Sequence, residues 1–152
     1  IIAPHVIDEN HLVEIIRKLK RPYVRYTRAD EKNVRKADCL IVDCFGLLSS
    51  IYRYGEIAYI GGGFGVGIHN TLEAAVYGIP VIFGPKYQKF QEAVQLLEEK
   101  GAFSVKDYEE LKTLLDRMLT DEVFLRESGM NASNYVTGNA GATDKIMSMI
   151  NF

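Results

Sequence analysis

The stretch IAYIGGGFGVGIHNTLEAAVYGIPVIFGP, residues 57–85, decides the fold. Residues 57–60 read as a strand that runs into Gly61-Gly62-Gly63. Residues 70–77 read as a short helix, stopped by Gly78 with Pro80 just beyond. Val81 to Phe83 is the next strand, turned by Gly84-Pro85. Strand, glycine-rich bend, helix and strand make a βαβ unit, which implies parallel pairing with a right-handed crossover.

The alternation extends in both directions. Upstream, residues 1–3 read as a strand ended by Pro4. Residues 8–20 carry Leu12, Ile15, Ile16 and Leu19 at helical spacing, behind Asp8 as N-cap. Residues 23–27 read as a strand. Residues 38–43 (DCLIVD) are an apolar core between two acids, as in a buried parallel strand. Residues 46–54 look helical. Downstream, a helix over 89–100 stops at Gly101, a strand covers 102–105, and helices follow over 107–119, 121–135 and 142–150. Residues 137–142 (TGNAGA) are the clearest late loop. The expected class is α/β, a Rossmann-like parallel sheet flanked by helices, with residues 1–152 as one domain.

Composition narrows the function classes. Eighteen Lys+Arg against twenty Asp+Glu give a net charge of −2, which excludes a protein held to nucleic acid by bulk charge. Cys39 and Cys44 are too few for a disulfide framework, and no second pair completes a zinc site. No apolar run approaches the ~20 residues that span a bilayer. The chain begins Ile1-Ile2-Ala3-Pro4 with no Met, and is expected to be a piece of something larger. The basic cluster from Arg17 to Arg21 reads as the solvated end of a helix, where cations are favourable.

In open α/β sheets ligands bind beyond the carboxyl ends of the strands. That singles out Pro4-His5, residues 43–48 and residues 61–73. Five of the seven residues from 61 to 67 are glycine, so the backbone can turn tightly and approach a ligand closely. The first turn of the helix behind them offers free N–H groups, an anion site suited to phosphate. No Gly-Lys-Ser/Thr follows, so this is not a Walker loop. Ile68 stands where a dinucleotide fingerprint needs its third glycine, and no acid follows ~20 residues on at a strand end, which disfavours a dehydrogenase. Asn70 and Glu73 share a helix face one turn apart. Asn70 fits a phosphate contact and Glu73 a ribose diol; the same pair also fits an N-cap with its capping-box partner. His69 either orients the loop, donates to phosphate or packs against Tyr77. No second His stands at ligand spacing, so no metal is expected.

Gly62-Gly63, His69-Asn70-x-Leu72-Glu73-Ala74, Gly78-x-Pro80 and Gly84-Pro85 together resemble the donor-binding half of the 3-deoxy-D-manno-octulosonic acid (Kdo) transferases. Asp43-x-Phe45-Gly46-Leu47-Leu48 and Ala3-Pro4 extend the similarity upstream. The motifs agree in order and spacing over roughly the first two-thirds of the chain, and the late helices fit only as architecture. The resemblance implies the C-terminal half of a two-domain GT-B enzyme, inverting and metal-independent, that moves Kdo from CMP-Kdo to a lipid A precursor in lipopolysaccharide biosynthesis. It places CMP against Pro4-His5, against Phe45-Gly46-Leu47 with the backbone of Gly46 and Leu47 on the cytosine edge, and against the helix start at Asn70, Thr71, Leu72 and Glu73. Gly63 and His69 complete the expected donor site. No cofactor and no metal ligand is expected. The general base and the acceptor site are expected in an amino-terminal domain, so this chain alone is expected to be inactive. The full-length protein is expected at the cytoplasmic face of the bacterial inner membrane, with no nucleic-acid partner.

Two positions depart from the family pattern. Many members carry Arg after the proline, where this chain has His5; Arg offers a permanent bidentate fork, His one donor and a conditional charge. Either His5 replaces that Arg at the phosphate with a weaker contact, or the phosphate role passes to Lys86 or Lys89. Leu47 replaces a Glu, which removes a side-chain contact but leaves backbone recognition. The competing expectations are a GT-B donor domain for a UDP-sugar and a non-catalytic nucleotide-binding module.

Overall fold

The computed structural model describes residues 1–65 and 67–150, with the side chains of 143–145 excepted. Val66, inside the glycine run, lies outside the described residues. The chain divides into two compact units, Ile1–Ile51 and Tyr52–Phe152.

In the first unit, helix α1 (Glu9–Lys18) starts where expected: the Asp8 carboxylate accepts from His11 N at 3.0 Å. Glu9 in its first turn and Arg17 and Lys18 in its last suit the helix dipole, and Leu12 is buried. Strand β1 (Tyr23–Arg25) leads through a 3₁₀ turn (Tyr26–Arg28) to α2 (Glu31–Val34), then β2 (Cys39–Ile41) and α3 (Leu48–Ile51). β1 and β2 pair in parallel, with Val24 opposite Leu40. Residues 1–3 contribute one parallel bridge, Ile2 to Ile41, rather than a full strand. Two bonds hold it, Ile2 N to Leu40 O at 2.8 Å and Val42 N to Ile2 O at 2.9 Å.

The second unit runs β3 (Ala58–Tyr59), α4 (Leu72–Ala75), β4 (Val81–Phe83), α5 (Gln91–Glu98), β5 (Ala102–Ser104), α6 (Tyr108–Thr120), α7 (Glu122–Gly138) and α8 (Ala142–Met149). Its sheet has the order β3-β4-β5, all parallel, so the expected βαβ unit is present. β4 is buried on both faces, the mark of a central parallel strand. Its side chains alternate between two cores. Val81 and Phe83 join Ala74, Ala75, Ala93, Leu96 and Ala132, from α4, α5 and α7. Ile82 points the other way, to Val105 and Met118, with Leu114 of α6 and Phe124 of α7 around them.

Several expected boundaries move. The helix expected over 70–77 keeps α geometry only at 72–75. It closes through tighter bonds, Tyr77 N to Ala74 O and Gly78 N to Ala75 O, both 3.0 Å. The helical stretch expected over 46–54 is α3 followed by a 3₁₀ turn (Tyr52–Tyr54). α7 runs through Thr137 and Gly138, which shortens the expected late loop. Among the described residues no helix is long and apolar enough to cross a membrane.

Candidate functional site

Each unit places part of the expected site on loops that follow its strands. In the first unit, Pro4 is half-buried and His5 exposed. The loop after β2 begins at Asp43, whose side chain is 1% exposed. Its carboxylate accepts from Arg25 Nε at 2.8 Å, Thr27 N at 2.9 Å and Thr27 Oγ1 at 2.6 Å. Burial alone would raise its pKa, but the bonds from Thr27 and Arg25 outweigh that and lower it to about 2. Arg25 is bonded through Nη1 to both oxygens of Glu9, at 2.8 and 3.0 Å, and its own pKa is raised by Glu9 first and Asp43 second. This network fixes the root of the loop carrying Phe45, Gly46 and Leu47. Beyond it Phe45 is 81% exposed. Gly46 takes a φ of 86°, and Leu47 O accepts from Ile51 N at 3.0 Å to start α3.

In the second unit the glycine-rich loop follows β3. Gly63 is buried with a φ of 82°, and a Cβ there would lie 2.8 Å from the backbone of Gly84. The two glycines let the loop after β3 and the turn after β4 touch backbone to backbone. Lys86 N donates to Gly63 O at 2.9 Å, and Lys86 Nζ to Gly65 O at 3.2 Å. Part of the glycine demand is therefore the protein's own packing. Gly61 and Gly65 differ, since a Cβ at either would meet nothing within 4 Å.

The loop returns through His69, exposed, whose N–H reaches Gly61 O at 3.4 Å. Asn70 follows. Its Oδ1 accepts from Leu72 N at 3.0 Å, and its Nδ2 donates to Glu73 Oε1 at 2.9 Å. This differs from a capping box, in which the glutamate would accept from backbone. Here the two side chains bond each other, and the half-buried Glu73 carboxylate keeps unused acceptor capacity. Leu72 is half-buried against the core. Thr71 is 1% exposed, and its Oγ1 is a buried oxygen with no hydrogen-bond partner.

Sequence reading did not find Tyr52. Its hydroxyl pKa is raised by burial and then by the negative charge of Glu73, which places the two groups in one electrostatic neighbourhood. The residues are 21 apart in a stretch with no shared motif. Among the described residues no cluster of His, Cys, Asp or Glu has the makings of a metal site.

No family model matches the chain. The chain is similar to the 3-deoxy-D-manno-octulosonic acid transferase of Aquifex aeolicus, 44% identical over 87 residues, which is 56% of this chain and 25% of that protein. The enzyme of the same description from Rickettsia felis is 33% identical over 116 residues, 74% of this chain and 25% of that protein. A bifunctional glycosyltransferase/methyltransferase of Fusobacterium nucleatum is 31% identical over 147 residues, 90% of this chain and 23% of that protein. The chain thus spans about a quarter of the length of the curated relatives it matches. Among solved structures, the C-terminal CMP-Kdo binding domain of WaaA from Acinetobacter baumannii superposes with a TM-score of 0.70 at 20% identity, covering 84% of this chain and 67% of that one. The resemblance to Kdo transferases is borne out at the level of sequence, and the α/β fold of parallel strands flanked by helices at the level of structure.

Proposed function

We propose that this chain is the donor-binding part of an inverting glycosyltransferase that moves Kdo from CMP-Kdo to a lipid A precursor. The nucleotide seats where the glycine-rich bend meets α4. The observation that carries this reading is the Asn70–Glu73 pair directly behind that bend. A carboxylate already aimed by a neighbouring amide, with lone pairs to spare, is suited to the two hydroxyls of a ribose. The loop before it presents open space at Gly61 and Gly65, where a ligand can come close to backbone. No cofactor takes part. The transfer needs a base to deprotonate the acceptor hydroxyl. In this reading that base, the lipid acceptor site and the contact with the cytoplasmic face of the inner membrane belong to the portion of the full-length relatives that this chain does not span.

Titration of the chain with CMP tests the reading, with Glu73→Ala as the decisive variant. Losing the acceptor for two hydroxyls costs on the order of 1–3 kcal/mol of CMP binding. If CMP affinity holds while α4 loses stability, the Asn70–Glu73 pair is a helix-start brace and the reading falls. Supplied with CMP-Kdo and acceptor, the chain alone yields no product; robust turnover would contradict the division of labour. The match of a bifunctional glycosyltransferase/methyltransferase to 90% of the chain supports a second reading, the donor domain of another glycosyltransferase with a different nucleotide sugar. UMP binding tighter than CMP would select it.

A further inference from the structure

This inference rests on the nucleotide reading above and assigns one residue to it. We propose that Lys86 is the cation that neutralises the phosphate of a nucleotide seated on the glycine-rich loop. Lys86 stands two residues past Gly84, which is packed against Gly63 too closely for either to carry a side chain. Its backbone N–H donates to Gly63 O at 2.9 Å, pinning the residue to the loop. Its ammonium then reaches across to Gly65 O at 3.2 Å. The exposed side chain is thereby tied back to the loop.

The charge on that ammonium is unspent. An ammonium has three N–H donors, and a neutral carbonyl takes one without cancelling the charge. Among the described residues no carboxylate pairs with Lys86. Lys106 and Lys112, by contrast, each have an acid four residues on, Glu110 and Asp116. Arg53, another cation of this unit, sits over the ring of Tyr77, 6.0 Å from its centre. At Gly65, beside the Lys86 ammonium, a Cβ would find nothing within 4 Å. A cation with donors to spare and no counter-ion is thus held at the open side of the loop. Lysine suits phosphate there as a point charge that needs no fixed fork.

The test titrates the intact chain with cytidine, CMP, uridine and UMP, read by NMR shift perturbation, in wild type, Lys86→Gln and Lys86→Arg. In the wild type CMP binds tighter than cytidine. Lys86→Gln weakens CMP about tenfold, leaves cytidine unchanged and flattens the salt dependence, while Lys86→Arg restores most of the loss. An unchanged CMP-to-cytidine ratio in Lys86→Gln overturns the assignment and leaves the nucleotide reading standing. Equal losses for cytidine and CMP mean that Lys86 only braces the loop, and also overturn it. If the uridine pair binds in place of the cytidine pair, the cytidine reading falls and the UMP-to-uridine ratio decides the lysine. If none of the four binds, both fall.

Discussion

Replacing Asp43 with Asn removes one charge from the first unit and hardly changes its shape. The carboxylate receives three donors: Thr27 N on one oxygen, Arg25 Nε and Thr27 Oγ1 on the other. An amide cannot satisfy them all. With its oxygen towards Thr27 N, its NH₂ meets the Arg25 N–H; flipped, it meets the Thr27 N–H. A carboxyl lowered from 3.8 to about 2 carries ~2.4 kcal/mol of preference for its charged form. Breaking a fully buried pair can cost ~3–5 kcal/mol, because a partner charge is stranded. Here Arg25 keeps Glu9, whose side chain is 66% exposed, so the network opens to solvent on that side. Screening there makes ~2.4 kcal/mol an upper bound, and the expected loss is about 2 kcal/mol. Residue-level hydrogen exchange at pH 7 reads it. Protection of the Arg25, Ile41 and Val42 amides falls about thirtyfold, while Ile82 and Phe83 in the second unit are unchanged. The pH dependence has a definite sign. A lowered carboxyl stabilises above its unfolded pKa, and that stability is lost as pH falls from 3.8 through about 2. In the Asp43→Asn variant that acid step disappears. Protection that survives the substitution, or falls equally in both units, would refute the reasoning.

The glycine contacts give two further expectations. Gly63→Ala must hold an alanine at a φ of 82° with its Cβ 2.8 Å from Gly84 backbone, and should cost about 2 kcal/mol or more, read as a melting temperature lower by roughly 4–8 °C. An unchanged melting temperature would mean that the two loops separate freely. Gly129→Ala puts a Cβ 2.1 Å from Gly78 O, so α7 must leave the turn after α4, and the urea midpoint should fall by the equivalent of about 3 kcal/mol. Gly138→Ala, with nothing within 4 Å, is its control and should stay within about 0.5 kcal/mol; similar losses in both would mean that the close approach to Gly78 is not the source of the cost, since helix propensity favours alanine over glycine.

How much of this was legible in the sequence depends on range. The β3–α4–β4 unit was, because apolar runs, Gly78 and Pro80 are local signals. So was the start of α1, where Asp8 acts within one turn. α2 was missed: its box joins Asp30 to Asn33 rather than to the Glu or Gln of the usual pattern. The end of α4 was overrun because Tyr77 and Gly78 are bonded three residues back, a tightening that apolar spacing does not record. In the candidate site, the shared face of Asn70 and Glu73 was legible from their one-turn spacing, but the bond between their side chains was not. The supports were not legible. Arg25 and Asp43 are 18 residues apart, and Lys86 and Gly65 are 21 apart, so only the parallel register brings each pair into contact.

The burial of β4 on both sides has a consequence for how this protein can change. Val81, Ile82 and Phe83 are each 0% exposed, and Gly84, next in line, is the residue on which the bend after β3 rests. A new side chain anywhere in that run disturbs two cores or displaces the bend itself. Altered preference for the proposed ligand must therefore be written elsewhere, at positions such as 61 and 65, where an added Cβ meets nothing within 4 Å. The same strand that makes the floor of the proposed site immovable leaves its rim free to drift.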